Sequence, residues 1–208
     1  MNKLRSELIE ICIQMNEDGL NQGTSGNVSC RNGENILITP SGVPYKNLTS
    51  EKIVSMNIDG EYEGSLKPSS EWRMHTDIYN FRPDAGAVVH VHSPYATALS
   101  CHRRNIPAFH YMVAVAGGED VRCADYATFG TQELSNNMIQ ALDNRKACLL
   151  SNHGLIAFGD NLSHAFWLAK EIETLAKQYI LSRHLGEPKI LSTREMSSII
   201  KKFKTYGK

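Results

Sequence analysis

Three histidines in two short segments have the residue type and the spacing of a metal site. His90 and His92 stand two positions apart after a short apolar run, and side chains two apart in a strand point to the same face. His153 follows another apolar run and precedes Gly154, which places it at a strand end. Three imidazoles with an open fourth position are typical of a catalytic zinc site, and they suit zinc better than magnesium. The His90 and His92 pair would also fit a solvated strand end.

Glu71 is a candidate for the carboxylate that such a site needs. It follows Ser69 and Ser70, either of which can cap a helix, so that the glutamate falls in the first helical turn. Helix capping alone would explain a glutamate there. The three histidines, however, need a carboxylate as fourth ligand or as base, and with them the balance favours a functional role.

Three segments rich in glycine and hydroxyl side chains could bind an anion. Backbone N–H groups and small hydroxyls can hold a phosphate without a fixed cation. None of the three matches a dinucleotide-binding or P-loop motif, and each by itself could be a plain turn. These segments are Gly23–Asn27, Thr39–Gly42 and Ser69–Ser70.

The elements that must position these residues are short strands mixed with amphipathic helices. Strands are expected at 28–30, 36–39, 53–57, 87–92, 147–151 and 155–158, and helices at 4–19, 70–81, 94–103, 131–142, 161–184 and 193–203. The mixture predicts an α/β (α+β) three-layer sandwich whose central, mostly antiparallel sheet is flanked by helices. We find no linker or repeat, so residues 1–208 are expected to form a single domain.

Composition excludes several classes of protein. The 208 residues include 22 basic and 22 acidic side chains, for a formal net charge of zero, which argues against a nucleic-acid binder and a polybasic membrane-surface protein. The apolar runs are far shorter than the roughly 20 residues of a membrane helix, and the start does not read as a signal peptide. A cytoplasmic protein is expected, with reduced core thiols at its cysteines. These are Cys12, Cys30, Cys101, Cys123 and Cys148.

Over nearly its whole length the chain resembles the class II aldolase and adducin-head family. Within that family it is most similar to the zinc-dependent L-fuculose-1-phosphate aldolase branch. The motifs that carry the resemblance are Asn21–Thr24 with Gly26–Ser29, Ile38–Gly42, Pro68–Arg73, Val88–His92, His110–Met112, Tyr126–Gly130, His153–Ile156 and Lys202–Gly207.

The resemblance implies a role for each matching residue. His90, His92 and His153 would hold one zinc ion per subunit, and Glu71 would ligate it until substrate takes its place and then act as acid/base. Tyr111 would be the second acid/base and would reach in from the adjacent chain of a homotetramer with fourfold symmetry. The phosphate would be bound by Gly26, Asn27, Ser41, Gly42, Ser69 and Ser70. The aldehyde side of the site would be lined by Phe129, Phe203 and Tyr206.

The reaction implied by the resemblance is the reversible cleavage of a ketose 1-phosphate of the L-fuculose 1-phosphate type. The products would be dihydroxyacetone phosphate and L-lactaldehyde, with zinc as the Lewis acid for the charge that develops. Related aldolases act on 5-deoxyribulose 1-phosphate or 5-methylthioribulose 1-phosphate and give acetaldehyde or methylthioacetaldehyde. Only a few contacts separate these aldehyde pockets, so both remain alternative substrates.

Other functions within the family fit the residues less well. Pentulose-phosphate 4-epimerases have aspartate where this chain has Glu71. Methylthioribulose-phosphate dehydratases lack the elements at 110–111 and 203–206. A non-catalytic, adducin-like scaffold would have no need for three histidines, Glu71 and Tyr111. The sequence therefore predicts an aldolase.

Overall fold

The computed structural model describes residues 2–203 of the chain. Tyr206, which was expected on the aldehyde side of the site, and the end of the motif at 202–207 lie outside the described residues. Within them the polypeptide forms one sheet with helices on both sides.

The sheet has seven strands in the order β3-β2-β1-β4-β7-β6-β5. Five of its six strand pairs are antiparallel, and the short edge strand β5 runs parallel to β6. The predicted flanked, mostly antiparallel sheet is thereby confirmed. The strands are β1 Asn27–Asn32, β2 Asn35–Ile38, β3 Val54–Met56, β4 Ala87–Val91, β5 Cys123–Ala124, β6 Ala147–Leu150 and β7 Gly154–Gly159.

Helices cover both faces of this sheet. Apolar side chains of α1, α3 and α5 pack on one face and those of α2 and α4 on the other. The α-helices are α1 Asn2–Glu17, α2 Trp72–Phe81, α3 Pro94–Cys101, α4 Gln132–Ala141, α5 Leu162–Arg183 and α6 Thr193–Phe203. Short 3-10 helices span Tyr45–Asn47, Ser50–Lys52 and Tyr111–Ala116.

The central strands alternate between the two cores. In β4, Val89 and Val91 join the core beneath α5, whereas Val88 joins the core beneath α2. In β7, Leu155 and Ile156 divide between the two cores in the same way. Side chains of successive residues in a strand point to opposite faces, so an apolar run that is buried on both sides can place one polar residue on a chosen face.

The register places the ends of three central strands, β1, β4 and β7, side by side. His90 is paired with Asn27 of β1 on one side and with Ile156 of β7 on the other. The carboxyl end of β4 therefore lies between the amino ends of β1 and β7. Residues that flank these strand ends, among them His92 and His153, therefore lie close together.

Some expectations from the sequence differ from the structure. The two-residue strand β5 and the three 3-10 helices were not predicted, because segments this short carry no hydrophobic period. All five cysteines are free, but Cys101 is exposed and Cys123 is half-buried, so the prediction of core thiols is wrong for these two. Among the described helices, none is both long enough and apolar enough to cross a membrane.

Candidate metal centre

The paired histidines extend from the end of β4. His90 is the fourth residue of this fully buried strand, and His92 follows the strand directly. Their Nε2 atoms lie 3.0 Å apart. The ring of His153 completes a triangle, because the centroids of each pair of the three rings are 4.8 Å apart.

The turn between β6 and β7 presents His153 to the other two histidines. Asn152 lies in the left-handed region with φ 55°, and the chain then enters β7 at Gly154. A Cβ atom at Gly154 would lie 2.3 Å from the carbonyl oxygen of Val91. Only glycine lets β7 approach the end of β4 this closely, and this approach sets His153 beside His92.

Glu71 lies immediately before α2, which begins at Trp72. The prediction that it falls in the first helical turn is therefore wrong by one residue. Its N–H donates to Ser69 Oγ (3.3 Å), and the N–H of Trp72 donates to the Ser69 carbonyl (3.1 Å). Since the Glu71 carboxylate makes no capping hydrogen bond, it is available to face the histidines.

The carboxylate lies between two imidazoles. Glu71 Oε2 is 3.2 Å from His90 Nε2, and Oε1 is 3.2 Å from His153 Nε2. Oε1 is buried and has no partner in hydrogen-bonding geometry among the described residues. An unsatisfied buried carboxylate oxygen is costly, and a cation at this point would satisfy it.

The donor set fits a single divalent metal ion. One ligand atom from each of the four residues lies within 4.8 Å of the others. Atoms that ligate zinc tetrahedrally at about 2.0–2.1 Å are themselves about 3.3 Å apart, close to the Nε2 separation of His90 and His92. His90 Nδ1 contacts the carbonyl of Leu155 at 2.8 Å; when Nδ1–H donates there, the Nε2 lone pair is directed into the cluster.

The electrostatics of the cluster favour a positive charge at its centre. Burial, together with the charge of His90, lowers the pKa of His92 to about 3 and that of His153 to about 4. Burial would raise the pKa of Glu71 and lower that of His90, but their mutual attraction outweighs it and shifts both in the opposite directions. The buried carboxylate of Glu71 thus stabilises a positive charge beside it. A divalent cation would supply that charge.

A cavity of about 360 Å³ opens onto this cluster. It brings together every residue expected to bind phosphate and one expected to line the aldehyde side, Phe129. Its lining includes Gly26, Asn27, Ser41, Gly42, Ser69, Ser70, Glu71, His92, Phe129 and His153. Gly26 has φ +77°, and a Cβ atom there would clash with the Asn21 side chain and the His90 carbonyl. The loop before β1 can therefore pass this close to the cluster only with glycine.

Two of the expected residues lie elsewhere in the chain. Tyr111 is 51 % exposed and stacks on Phe203 with ring centroids 6.4 Å apart. Neither is among the described residues that line the cavity. Within one chain, the structure does not bring Tyr111 and Glu71 together.

Sequence reasoning did not assign several residues that the structure places at the cavity. Tyr126 opens the motif at 126–130, and Asn152 stands directly before His153, so their position in the sequence was a usable signal. Asn27 donates from Nδ2 to Glu71 Oε2 (3.1 Å), a contact across 44 positions that no local pattern shows. The lining residues outside the segments predicted to bind an anion are Tyr126, Ala127 and Asn152, whereas Thr24, Ser25 and Pro40 lie within those segments.

Glu173 of α5 fixes the segment that follows His92. Its carboxylate accepts hydrogen bonds from Ser93 Oγ (2.7 Å) and from the N–H groups of Tyr95 and Ala96 (2.8 Å each). The N–H of His92 itself donates to Asn21 Oδ1 (2.8 Å). The backbone around His92 is therefore held from two sides.

Comparison with known protein families identifies the chain. A family model described as the Class II Aldolase and Adducin N-terminal domain matches residues 6–180. The chain belongs to this family. The resemblance read from its motifs is thereby confirmed.

Relatives with known names agree with this assignment. The chain is 53 % identical over 204 residues to a 5-methylthioribulose-1-phosphate/5-deoxyribulose-1-phosphate aldolase of Rhodospirillum rubrum, covering 98 % of this chain and 92 % of the relative. It is 51 % identical over 207 residues to the L-fuculose phosphate aldolase of Escherichia coli K12, covering 99 % and 96 %. A solved structure titled L-fuculose 1-phosphate aldolase superposes with a TM-score of 0.95 at 43 % identity, covering 98 % of this chain and 97 % of the other.

Proposed function

We propose that the protein is a metal-dependent aldolase that reversibly cleaves a ketose 1-phosphate to dihydroxyacetone phosphate and an aldehyde. One observation carries the proposal: three imidazoles and a carboxylate converge at a cavity lined by glycine backbone and hydroxyl groups. A metal beside a phosphate-binding surface is what this reaction needs. The relatives named above are aldolases of ketose phosphates, which supports the same reaction class here.

The metal in this proposal is zinc, held by His90, His92 and His153 with Glu71 as a further ligand. Imidazole nitrogens favour zinc over magnesium, and three protein nitrogens leave room for substrate. When bound, the ion supplies Lewis-acid stabilisation of the negative charge that develops on the substrate oxygens. The chain's contribution is to hold the ligands in place and to move protons.

Glu71 is the first acid/base of the proposed mechanism. Its pKa lies below the usual range because the charge of His90 outweighs the effect of burial, so it is ionised at neutral pH. An ionised carboxylate that faces the substrate can take a proton from the nucleophilic carbon and return it. A positioned acid/base of this kind contributes about 10²–10⁴-fold to the rate.

The phosphate lies, in this proposal, among the cavity segments around Gly26, Ser41 and Ser69. Gly26 and Gly42 both have positive φ, so backbone N–H groups can turn toward an anion where a side chain would block it. The hydroxyls of Ser41, Ser69 and Ser70, together with Asn27, complete the set. Phe129 is 65 % exposed at the cavity and would contact the aldehyde portion.

Tyr111 is proposed as the second acid/base, contributed by an adjacent subunit of a homotetramer. Its exposure and its stacking on Phe203 support a role outside its own chain's cavity. Phe203 and Tyr206 are proposed to line the aldehyde side of the site. We further propose that residues 1–208 form a single domain and that the enzyme works in the cytoplasm.

The substrate is proposed to be L-fuculose 1-phosphate, with 5-deoxyribulose 1-phosphate and 5-methylthioribulose 1-phosphate as alternatives. The relatives at 53 % and 51 % identity carry different substrate names, so identity does not choose among them. We would measure kcat/KM for all three by coupling dihydroxyacetone phosphate to NADH oxidation. A preference for L-fuculose 1-phosphate supports the leading assignment, and a preference for either 5-substituted pentulose replaces it.

A further inference from the structure

A buried chain of hydrogen bonds leads from the interior of the protein to Glu71. It links α2 and β1 through Tyr79, Ser29, His75 and Asn27, all of which are less than 8 % exposed. The contacts are Tyr79 OH to Ser29 Oγ (2.8 Å), Ser29 Oγ to His75 Nδ1 (2.7 Å), His75 Nε2 to Asn27 Oδ1 (2.5 Å) and Asn27 Nδ2 to Glu71 Oε2 (3.1 Å).

The chemistry of these groups allows the hydrogen bonds to be donated in one direction only, from Tyr79 towards Glu71. An ionised carboxylate only accepts hydrogen bonds, so Asn27 must present its NH₂ group to Glu71 and its Oδ1 atom to His75. His75 must then donate from Nε2 and accept at Nδ1, which the Ser29 hydroxyl supplies. Ser29 in turn accepts from the Tyr79 hydroxyl. Each of these groups finds a complementary partner.

His75 is suited to fix this direction. Burial, aided by the charge of His90 and opposed by the carboxylate of Glu71, lowers the pKa of His75 to about 3. The ring is therefore neutral and carries a single N–H, which the directions above place on Nε2. Among the described residues, His75 is the hydrogen-bond partner of Asn27 Oδ1.

We propose that His75 is a positioning residue for the proton-transfer group: through Asn27 it holds Glu71 Oε2, which leaves Oε1 to face the reacting carbon. The inference rests on the proposed function, in which Glu71 moves the proton. Without the N–H of His75, the Asn27 amide is free to rotate and the carboxylate loses one fixed contact. The histidines proposed to hold the metal, His90, His92 and His153, are not members of this series of hydrogen bonds.

The test compares three variants of the zinc-loaded enzyme. His75→Phe keeps a ring but removes both nitrogens, and His75→Gln keeps an N–H that can reach Asn27. Thr76→Val is the matched control, because Thr76 is the neighbouring buried residue of α2 and, among the residues that the structure describes, its hydroxyl donates to the Arg73 carbonyl at 3.1 Å. Zinc content, KM, kcat and the exchange of a carbon-bound hydrogen of dihydroxyacetone phosphate with solvent deuterium would be measured for each.

The proposal expects kcat and the deuterium exchange rate of His75→Phe to fall together, on the order of 10–100-fold. Zinc content should stay at one per subunit and KM within about threefold of wild type, a pattern that general loss of packing does not give. His75→Gln should recover most of the loss, and Thr76→Val should stay within about twofold of wild type. Unchanged exchange in His75→Phe, or a raised KM with unchanged kcat, would overturn the proposal.

A spectroscopic measurement keeps the test valid if a variant fails to fold. In wild-type zinc enzyme labelled with ¹⁵N-histidine, His75 should be neutral and protonated on Nε2. An Nδ1–H tautomer, which would reverse the hydrogen bonds, or a charged ring, which would donate from both nitrogens, would overturn the inference. If wild type itself shows neither cleavage nor exchange, the proposed function fails, whereas active wild type with indifferent His75 variants removes only the role of His75.

Discussion

At the residue scale, four side chains direct one ligand atom each towards a common point. The Nε2 atoms of His90 and His92 point at one another across 3.0 Å, and only one of two facing nitrogens can donate a proton. Glu71 Oε1 is buried without a hydrogen-bond partner among the described residues. A cation would satisfy all of these atoms at once, which favours a metal centre over a packed group of histidines.

Glu71→Gln separates metal binding from proton transfer. The amide keeps the size of the carboxylate but cannot accept a proton at neutral pH, and the three histidines are unchanged. We expect the variant to retain its metal, measured by atomic emission, and to lose about 10²-fold or more in kcat. A variant that turns over at the wild-type rate would remove Glu71 from the mechanism.

His75 gives a prediction for stability as a function of pH. Burial lowers its pKa in the folded chain to about 3, from an ordinary value of 6.5, so below pH 6.5 the unfolded chain binds a proton that the folded chain does not. This contribution to stability is present above pH 6.5 and is lost as the pH falls towards 3, by up to about 1.4 kcal/mol per pH unit.

The measurement is urea unfolding of metal-free protein between pH 7 and pH 4. His75→Gln cannot titrate, so its free energy of unfolding should fall less steeply with decreasing pH than that of wild type. Parallel slopes for the two proteins would show that His75 titrates normally in the folded chain.

At the scale of elements, the site is built where strands end and helices begin. His92 follows β4, His153 precedes β7, Asn27 opens β1 and Glu71 precedes α2. At such positions the backbone is not bound by the regular hydrogen bonding of a strand or helix, while the adjoining rigid elements hold it in place. The loop residues at the cavity thereby gain a fixed geometry.

Glu173→Gln tests how α5 supports the segment after His92. The carboxylate accepts three hydrogen bonds from the start of α3, and an amide would turn an NH₂ group towards one of those donors. We expect a loss of about 1–3 kcal/mol in the free energy of unfolding together with weaker zinc binding. Glu171→Gln, the same change two residues earlier in α5, is the control and should stay within about 0.5 kcal/mol.

The sequence predicted the elements that carry a strong pattern and the residues that follow directly from them. His90 and His92 were found because their spacing matches the strand period, and the long helix at 161–184 because its apolar face repeats. The role of His75 could not be found, because an isolated histidine in an amphipathic helix looks like packing. Its contact with Asn27 depends on how α2 lies against β1, which is a property of the tertiary fold.

At the scale of the whole molecule, the proposed mechanism needs residues from two chains. Tyr111 lies outside its own chain's cavity, and the proposal places it in the site of an adjacent subunit. A site of this kind can be assembled from two differently inactivated chains, because each chain supplies a different half.

Mixing Tyr111→Phe with Glu71→Gln tests this arrangement. After dissociation and reassembly in equal amounts, about a quarter of the sites in a cyclic tetramer combine an intact Glu71 with an intact Tyr111. We expect activity near that fraction of wild type, against very low activity for either variant alone. Absence of recovery in mixed oligomers, confirmed by mass spectrometry, would place both residues in sites within one chain.

The central claim is that a metal held by this cluster drives aldol cleavage, and removal and return of the metal tests it most directly. Protein stripped with a chelator would be assayed for dihydroxyacetone phosphate release from the three ketose 1-phosphates before and after one equivalent of zinc is added. The account predicts negligible release without metal and restored release of the preferred substrate's product with zinc. Equal release in both samples, or none from any substrate with zinc bound, would contradict it.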